Sequence, residues 1–360
     1  MTQLSLDAAP EPPAFFTALP LRERLLAASL LRGVSPAAAL PALLAAPDQL
    51  ADPPGLPPRL RAAWQTALHD PALPRALAAE REALTRRGAW YLTPADPDWP
   101  RGLPPLGVLR GHGHLTTPAL AIVGARAADP HGRELAARIA RAAVERGHAV
   151  VSGGAFGIDH AAHRAALDAG GDTLVVLGSG LDHPSPQSHR ALFAAAEARG
   201  ALLSPFPCAR TAAAWTFPQR NAWIAGLAVA VVVVQATLQS GALHTARAAL
   251  ARDLPVWVVP GSIDAPLHAG CHALVAEGAR LLTDPAAWAG ALRPAVTTPA
   301  EPREHRALWR AAAAEPRPLD ALAADAGLSI EDAAIAATLL ELDGWLRPAP
   351  GGRYARSQPG

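Results

Sequence analysis

Between about residues 118 and 290 the chain alternates between two hydrophobic periods. LAIVGA, HAVVSG, TLVVLGSG, ALLSPF, VAVVVVQA, PVWVVPG and ARLLTD are short apolar runs rich in β-branched residues. Ala-rich amphipathic stretches such as GRELAARIARAAVERG and GALHTARAALARD lie between them. Repeated strand then helix predicts parallel strands joined by crossover helices. The runs are continuously apolar, which fits a sheet covered on both faces. The expected fold class is a doubly wound α/β sheet, in which ligands sit outside the carboxyl ends of the strands.

The flanks have only the helical period. LRERLLAASLLRGVSPAAALPALLAA, within the helical stretch from about 15 to 90, carries a stop at Gly33 and a restart at Ser35-Pro36. Ser at an N-cap and Pro at the first helical position predict a helical hairpin, a unit that either grips DNA backbone or simply packs. From about 302 onward, EHRALWRAAA, PLDALAADAGLS and IEDAAIAATLLELDGWL predict three helices, and RPAPGGRYAR predicts a hairpin. That is a winged-helix pattern, whose third helix ordinarily reads DNA. Here that helix carries Glu331, Asp332, Glu341 and Asp343, with no arginine before Arg347. It would repel phosphate, so a protein-contact or degenerate role is expected instead of groove reading.

Composition narrows the chemistry. Half of the 360 residues are apolar and only 18% are charged, with a net charge of +1. Any anion site must therefore be a local cluster. The chain has no lysine, which excludes a P-loop and Schiff-base catalysis. Cys208 and Cys271 are the only cysteines, too few for a disulfide framework or a four-cysteine zinc site. The first residues lack the basic start and apolar core of a signal peptide. The apolar run from about 222 to 236 is short for a membrane span. A soluble, cytoplasmic protein is expected.

The candidate chemistry sits where the strands end. The first ends Val123-Gly124-Ala125-Arg126, without the GxGxxG dinucleotide fingerprint. The second ends Ser152-Gly153-Gly154 and continues to Gly157-Ile158-Asp159, with small residues where a ribose-binding acid would stand. A Gly-Gly turn opening a helix can cradle an anion with its amides, or it can merely permit a tight turn. Gly178-Ser179-Gly180, Gln239-Ser240-Gly241 and Val259-Pro260-Gly261 are further loops of this kind. Trp215-Thr216-Phe217-Pro218-Gln219-Arg220-Asn221 interleaves aromatics with polar groups, as in sites that stack unpaired bases and hold phosphates. Trp215 and Trp223, taken singly, read as core. A single nucleotide needs one or two such loops, whereas five along one rim suit a threaded polyanion. His160 and His163, beside Asp159, share a helix face, but with no third ligand they read as packing residues. Asp159 reads as a cap or a brace for the Gly-Gly loop. His112 and His114 read as solvent-facing.

AIVGAR, SGGAFGIDHAAH, VVLGSGLDHP, FPQRNAWIAGL, SGALHTARAA and VPG followed by GCHALVAEGA, in this order over about 118–285, closely resemble the DNA-processing protein A (DprA, or Smf) family. The resemblance implies an extended Rossmann-like domain that binds single-stranded DNA without sequence preference. It also implies homodimers and loading of RecA onto the strand during natural transformation and recombination. By motif it assigns DNA contact to Arg126, Ser152, Gly153, Gly154, Gly157, Phe217, Arg220, Asn221, Ser240, Gly241 and Thr245, with no catalytic residue, cofactor or metal. The expected domains are 1–105, helical (helical-hairpin or SAM-like); 106–293, Rossmann-like and DNA-binding; a linker, 294–303; and 304–360, winged-helix-like.

The chain departs from the family pattern at several places. Ala214 and Ala222 stand where basic residues are common, Gln235 replaces a frequent Glu, and SEYP has become SPFP at 204–207. The lost charge implies weaker binding per site or compensation by arginine elsewhere. The alternative weighed is a Rossmann-type nucleoside monophosphate phosphoribohydrolase, whose PGGxGTxxE motif pairs glycines with a catalytic Glu. SGGAFGIDH lacks that Glu, so a binding protein rather than an enzyme is expected.

Overall fold

A computed structural model describes residues 13–31, 56–100, 103, 107–116, 118–292, 305–313 and 315–357. The expected turn at Gly33 and Ser35-Pro36, and the expected linker 294–303, lie outside the described residues. The chain forms two compact units, Met1–Ala295 and Val296–Gly360.

In the first unit, α1 (Ala14–Thr17), α2 (Leu21–Ala28), α3 (Pro58–Leu68) and α4 (Leu73–Arg87) precede a nine-stranded sheet. Its strands are β1 (Trp90–Leu92), β2 (Leu109–Gly113), β3 (Ala119–Val123), β4 (Ala149–Ser152), β5 (Thr173–Val176), β6 (Ala201–Ser204), β7 (Ala228–Val233), β8 (Val256–Val258) and β9 (Arg280–Leu281). Their order is β1-β2-β6-β5-β4-β3-β7-β8-β9. The pairs from β6 to β9 are parallel, and β1 and β2 are added antiparallel at the β6 edge. The chain leaves β3 in one direction through β4, β5 and β6, then returns to β3's other side with β7. This reversal between β3 and β7 opens a crevice at their carboxyl ends.

Helices α5 (Pro130–Glu145), α6 (Ile158–Asp168), α7 (Arg190–Arg199), α8 (Thr216–Leu227), α9 (Ala242–Leu250), α10 (Pro266–Ala276) and α11 (Pro285–Ala291) complete the unit. Alternation of inward side chains along each strand divides the core between the two faces. Ile122, Val150, Val232 and Ile158 fill one with Ile139 and Ala162. Val123, Val151, Val231 and Val233 fill the other with Ile224 and Leu243. The sheet was expected as seven strands; β1 and β2 add two that the hydrophobic pattern does not reveal. His112, expected in solvent, lies on β2 with its Nδ1 3.1 Å from the Glu197 carboxylate, and His114 Nε2 lies 3.3 Å from Asp172. Both are only part-exposed, because β2 lies beside β6.

A buried polar cluster ties the N-terminal helices to the sheet. Arg110, fully buried on β2, meets the Glu80 carboxylate and donates from Nη2 to Ser29 Oγ at 2.7 Å. Glu80 Oε2 also accepts the Cys208 amide at 3.0 Å. The helical segment is thereby fastened to the loop that follows β6.

The second unit has α12 (Arg306–Ala311), β10 (Arg317–Pro318), α13 (Leu319–Ala326), α14 (Ile330–Leu342), β11 (Leu346–Ala349) and β12 (Arg353–Arg356). Three helices and a small sheet in the order β10-β12-β11 make a winged helix. Ser329 caps α14, accepting the Asp332 amide at 3.0 Å.

His163 on α6 gives this fold a pH dependence. Its ring is fully buried, with Nδ1 2.6 Å from Thr173 Oγ1. That hydroxyl spends its proton on Val150 O, at 2.9 Å, so Nδ1 carries the imidazole hydrogen. Burial, aided by the charges of His160 and Arg220, pushes the His163 pKa down to about 3. The unfolded chain takes up this proton below about pH 6.5 and the folded chain does not. The resulting stability is present above that pH and is lost as pH falls toward 3. Denaturant titrations should show wild type losing up to about 1.4 kcal/mol more per pH unit than His163→Leu between about pH 6 and 4. Parallel pH profiles for the two proteins would contradict this assignment.

Candidate nucleic-acid interface

The crevice at the carboxyl ends of β3, β4 and β7 gathers most of the sequence candidates, but in different roles. Arg126 is exposed just beyond β3, its Cζ 4.9 Å from the centroid of the part-buried Phe217 ring. No carboxylate pairs with it among the described residues. A guanidinium held over an aromatic face is pre-oriented while its donors stay free.

Arg220 is only 4% exposed. Its Nη1 donates to Gly153 O at 2.6 Å and also to Val176 O, and its Nε donates to Asn221 Oδ1 at 3.2 Å. The guanidinium thus ties the ends of β4 and β5 to α8. Burial lowers its pKa to about 10, with Asp159 opposing and Arg126 adding to the fall. It remains charged, and its field reaches Arg126. Two like charges share one crevice, and an anion placed between them would relieve their repulsion.

The glycine turn is shaped around this guanidinium. A Cβ at Gly153 would lie 2.4 Å from the Arg220 nitrogens, and one at Gly157, where φ is +75°, would lie 2.2 Å from Ala125 O. Gly154 also has positive φ, at +66°. Asp159 braces the turn, its Oδ2 accepting Gly153 N at 3.1 Å and Ala155 N at 3.3 Å. Burial raises the Asp159 pKa against the pull of Arg220 and these amides. Those two amides are therefore already bonded to a carboxylate, so the turn is a braced support rather than an open anion nest.

The remaining candidates divide between rim and interior. Asn221 Nδ2 donates to Gly241 O at 3.0 Å, tying α8 to the Ser240-Gly241 turn, and Ser240 Oγ accepts the Ala242 amide at 3.3 Å. Ser152 Oγ donates to Ile122 O on the neighbouring strand at 2.7 Å, and both Ser152 and Thr245 are buried. Neither faces the crevice. Gln235, fully enclosed beyond β7, brackets Asp129, receiving its amide at 3.2 Å and donating to its carboxylate at 2.9 Å. Asp129 in turn caps α5 through Gly132 N. A Glu at 235 would set a second carboxylate against Asp129, so Gln suits this cap.

Of the two tryptophans that read as core, Trp223 is buried but Trp215 is half exposed. His160 stacks on His189, with ring centroids 4.5 Å apart, while His163 bonds Thr173. Among the described residues no group of three or more His, Cys, Asp or Glu could hold a metal, and no helix is long and apolar enough to cross a membrane.

A doubly wound sheet with a glycine-lined, arginine-bearing rim, followed by a winged helix, is the architecture against which known families can be compared. The family model for DNA recombination-mediator protein A matches residues 90–292, and that for the DprA winged helix domain matches 293–352. The chain belongs to the DNA recombination-mediator protein A family. Protein Smf of Escherichia coli is 36% identical over 252 residues, 66% of this chain and 67% of that one. A protein named for DprA in Mycobacterium tuberculosis is 41% identical over 226 residues, 57% of this chain and 58% of that one. The chain thus matches somewhat over half the length of that relative. Among solved structures, DprA of Streptococcus pneumoniae aligns with TM-score 0.61 and 28% identity over 74% of this chain and 96% of that one. DNA processing protein A of Helicobacter pylori, whose structure was described for its single-stranded DNA binding mode, aligns with TM-score 0.51 and 26% identity, over 56% of this chain and 94% of that one.

The two arginines should separate by experiment. Arg220→Leu leaves two carbonyls unpaired and Asp159 buried without its nearby cation, a cost on the order of 3 kcal/mol. Arg126→Ala removes only an exposed group. Thermal denaturation should show a large fall in midpoint for the first and a near wild-type midpoint for the second; equal midpoints would mean that Arg220 is not structural.

Proposed function

We propose that the chain binds single-stranded DNA across the carboxyl rim of its sheet and acts in DNA processing during transformation and recombination, handing the strand to a RecA-type recombinase. The observation that carries this reading is the Arg126–Phe217 pair, a free guanidinium over an accessible aromatic at the point where the sheet reverses direction. Such a pair offers a phosphate one partner and a base the other. The family membership and the Helicobacter relative's described DNA binding support the same reading.

Of the residues assigned by motif, Arg126 and Phe217 would touch DNA directly. Gly153, Gly154, Gly157, Arg220 and Asn221 would hold them in place, and Ser240 and Gly241 would extend the rim. Binding rather than catalysis is proposed, since Asp159, the acid nearest the glycine turn, is buried and committed to backbone amides. A homodimer would place two rims on one strand and raise avidity without new contacts.

Salt titration of oligonucleotide binding tests this. Wild type should bind unpaired strands far more tightly than duplex, and log affinity should fall linearly with log salt. Arg126→Ala should flatten that slope by about 0.7, the value for one lost phosphate contact on a single strand. Equal affinity for duplex and single strand, or an unchanged slope, would sink the proposal. Release of free base from a nucleoside monophosphate would instead favour the hydrolase.

A further inference from the structure

We infer that Arg210 and Trp215 form a second nucleotide platform, beside that of Arg126 and Phe217 on the same rim, so that the interface grips two nucleotides of one strand. The inference rests on the single-stranded DNA reading and adds to it a place where the strand continues. Trp215 is 50% exposed, and the Arg210 Cζ lies 5.6 Å from its ring centroid. Both side chains are exposed, and no carboxylate pairs with Arg210 among the described residues. This repeats the Arg126–Phe217 arrangement, a guanidinium held on an aromatic with its donors outward.

The platform is rigidly founded. Phe206, itself buried, packs edge-on against Trp215 at a centroid distance of 6.0 Å. Arg210 O accepts Gly180 N at 2.7 Å, and Cys208 O accepts Asp182 N at 3.0 Å, so the loop after β6 is zipped to the loop after β5. Glu80 fixes the same loop from beneath through Cys208 N. The nearby Asp182 carboxylate lies 3.8 Å from both Arg86 and Arg87, which offset its charge. Thr216, fully buried, stands between the two platforms in sequence. Its Oγ1 lies 2.5 Å from Gly178 O and accepts the Ala213 amide at 3.1 Å. That anchor fixes Trp215 and Phe217 on either side of it.

The path follows from the sheet. Arg126 stands at the end of β3 and Arg210 beyond the end of β6, with β4 and β5 between them. Their rings are neighbours all the same, because Trp215 and Phe217 are two residues apart at the start of α8, and each arginine reaches its ring from its own strand end. A short single strand running across the sheet edge would meet both. A base stacked on Trp215 and a phosphate on Arg210 would be held independently of those at Phe217 and Arg126.

The test is binding of oligothymidylates of increasing length to wild type, Trp215→Ala, Trp215→Phe and Arg210→Gln, in the full chain. Both positions are exposed, and far-ultraviolet circular dichroism checks that each variant is folded. Strands too short to reach from one platform to the other should bind wild type and Trp215→Ala alike. Longer strands should bind Trp215→Ala roughly 5- to 150-fold more weakly, the range of one base–aromatic stack, and Trp215→Phe should recover much of this. Arg210→Gln should flatten the salt slope by about 0.7 on long strands only. Abasic sites should erase the Trp215→Ala effect while leaving that of Arg210→Gln. If Arg126→Ala weakens binding but the Trp215 and Arg210 variants match wild type at every length, the second platform is overturned and a protein contact becomes the better reading of this patch. If wild type binds no single strand, both readings fall.

Discussion

Arg220 is a cation taken out of water and surrounded by backbone. Its guanidinium lies beneath the glycine turn after β4, bonded to Gly153 O and Val176 O, with Asp159 supplying opposite charge nearby. A charge buried this way costs several kcal/mol unless its donors are satisfied. The surrounding sequence is shaped to satisfy them. Position 153 must be glycine because a Cβ would occupy the guanidinium's place. Asp159 must lie on the first turn of α6 to reach the turn's amides. Asn221 must follow Arg220 to accept its Nε and pass the constraint on to Gly241. One buried side chain therefore registers the ends of β4 and β5 against α8, with Asp159 bringing in the start of α6.

That registration gives the rim its use. With Arg220 fixed, α8 cannot rotate, and the residues at its start are held at the surface while Trp223, Ile224 and Leu227 enter the core. The exposed arginines then rest on aromatics that are themselves anchored. Pre-organisation of this kind matters more here than in a strongly basic protein. A net charge of +1 gives little long-range attraction for a polyanion, so any affinity must come from contacts whose geometry is set beforehand.

The hydrophobic period revealed the parallel sheet because the β3–β8 runs are apolar throughout and the crossover helices α5, α6 and α9 are amphipathic. It missed β1 and β2 for physical reasons. WYL is three part-buried residues, and LRGHG carries a buried arginine whose partner, Glu80, lies thirty positions away. The local pattern therefore resembles a polar loop. The start of α8 was hidden in a similar way, since Pro218 between Phe217 and the polar run Gln219-Arg220-Asn221 does not spell a helix. At the site, Arg126 and Arg220 look alike in sequence, and both read as phosphate grips. What separates them is depth below the rim, set by Gly153 and Asp159. Ser152 and Thr245 shared the small-residue signature of the rim, yet their hydroxyl-bearing side chains turned inward. Trp215 and Trp223 differ in their place along α8: Trp215 is its N-cap at the rim, whereas Trp223 lies two turns further in, against the core.

The same depth argument bears on the basic residues that this chain lacks. Ala214 and Ala222 flank the segment whose interior arginine is structural, so the net surface charge there is lower than the string FPQRN suggests. Two exposed cations of the rim, Arg126 and Arg210, both sit on aromatic rings. If single strands bind here, the balance shifts from phosphate neutralisation toward stacking, because each lost charge lowers the salt-dependent part of the affinity and leaves the stacking part intact. Such an interface holds its strand with less sensitivity to ionic strength than a lysine-lined groove. It would also discriminate against duplex more sharply, since paired bases cannot present their faces to Phe217 and Trp215, whereas duplex phosphates remain available to any arginine.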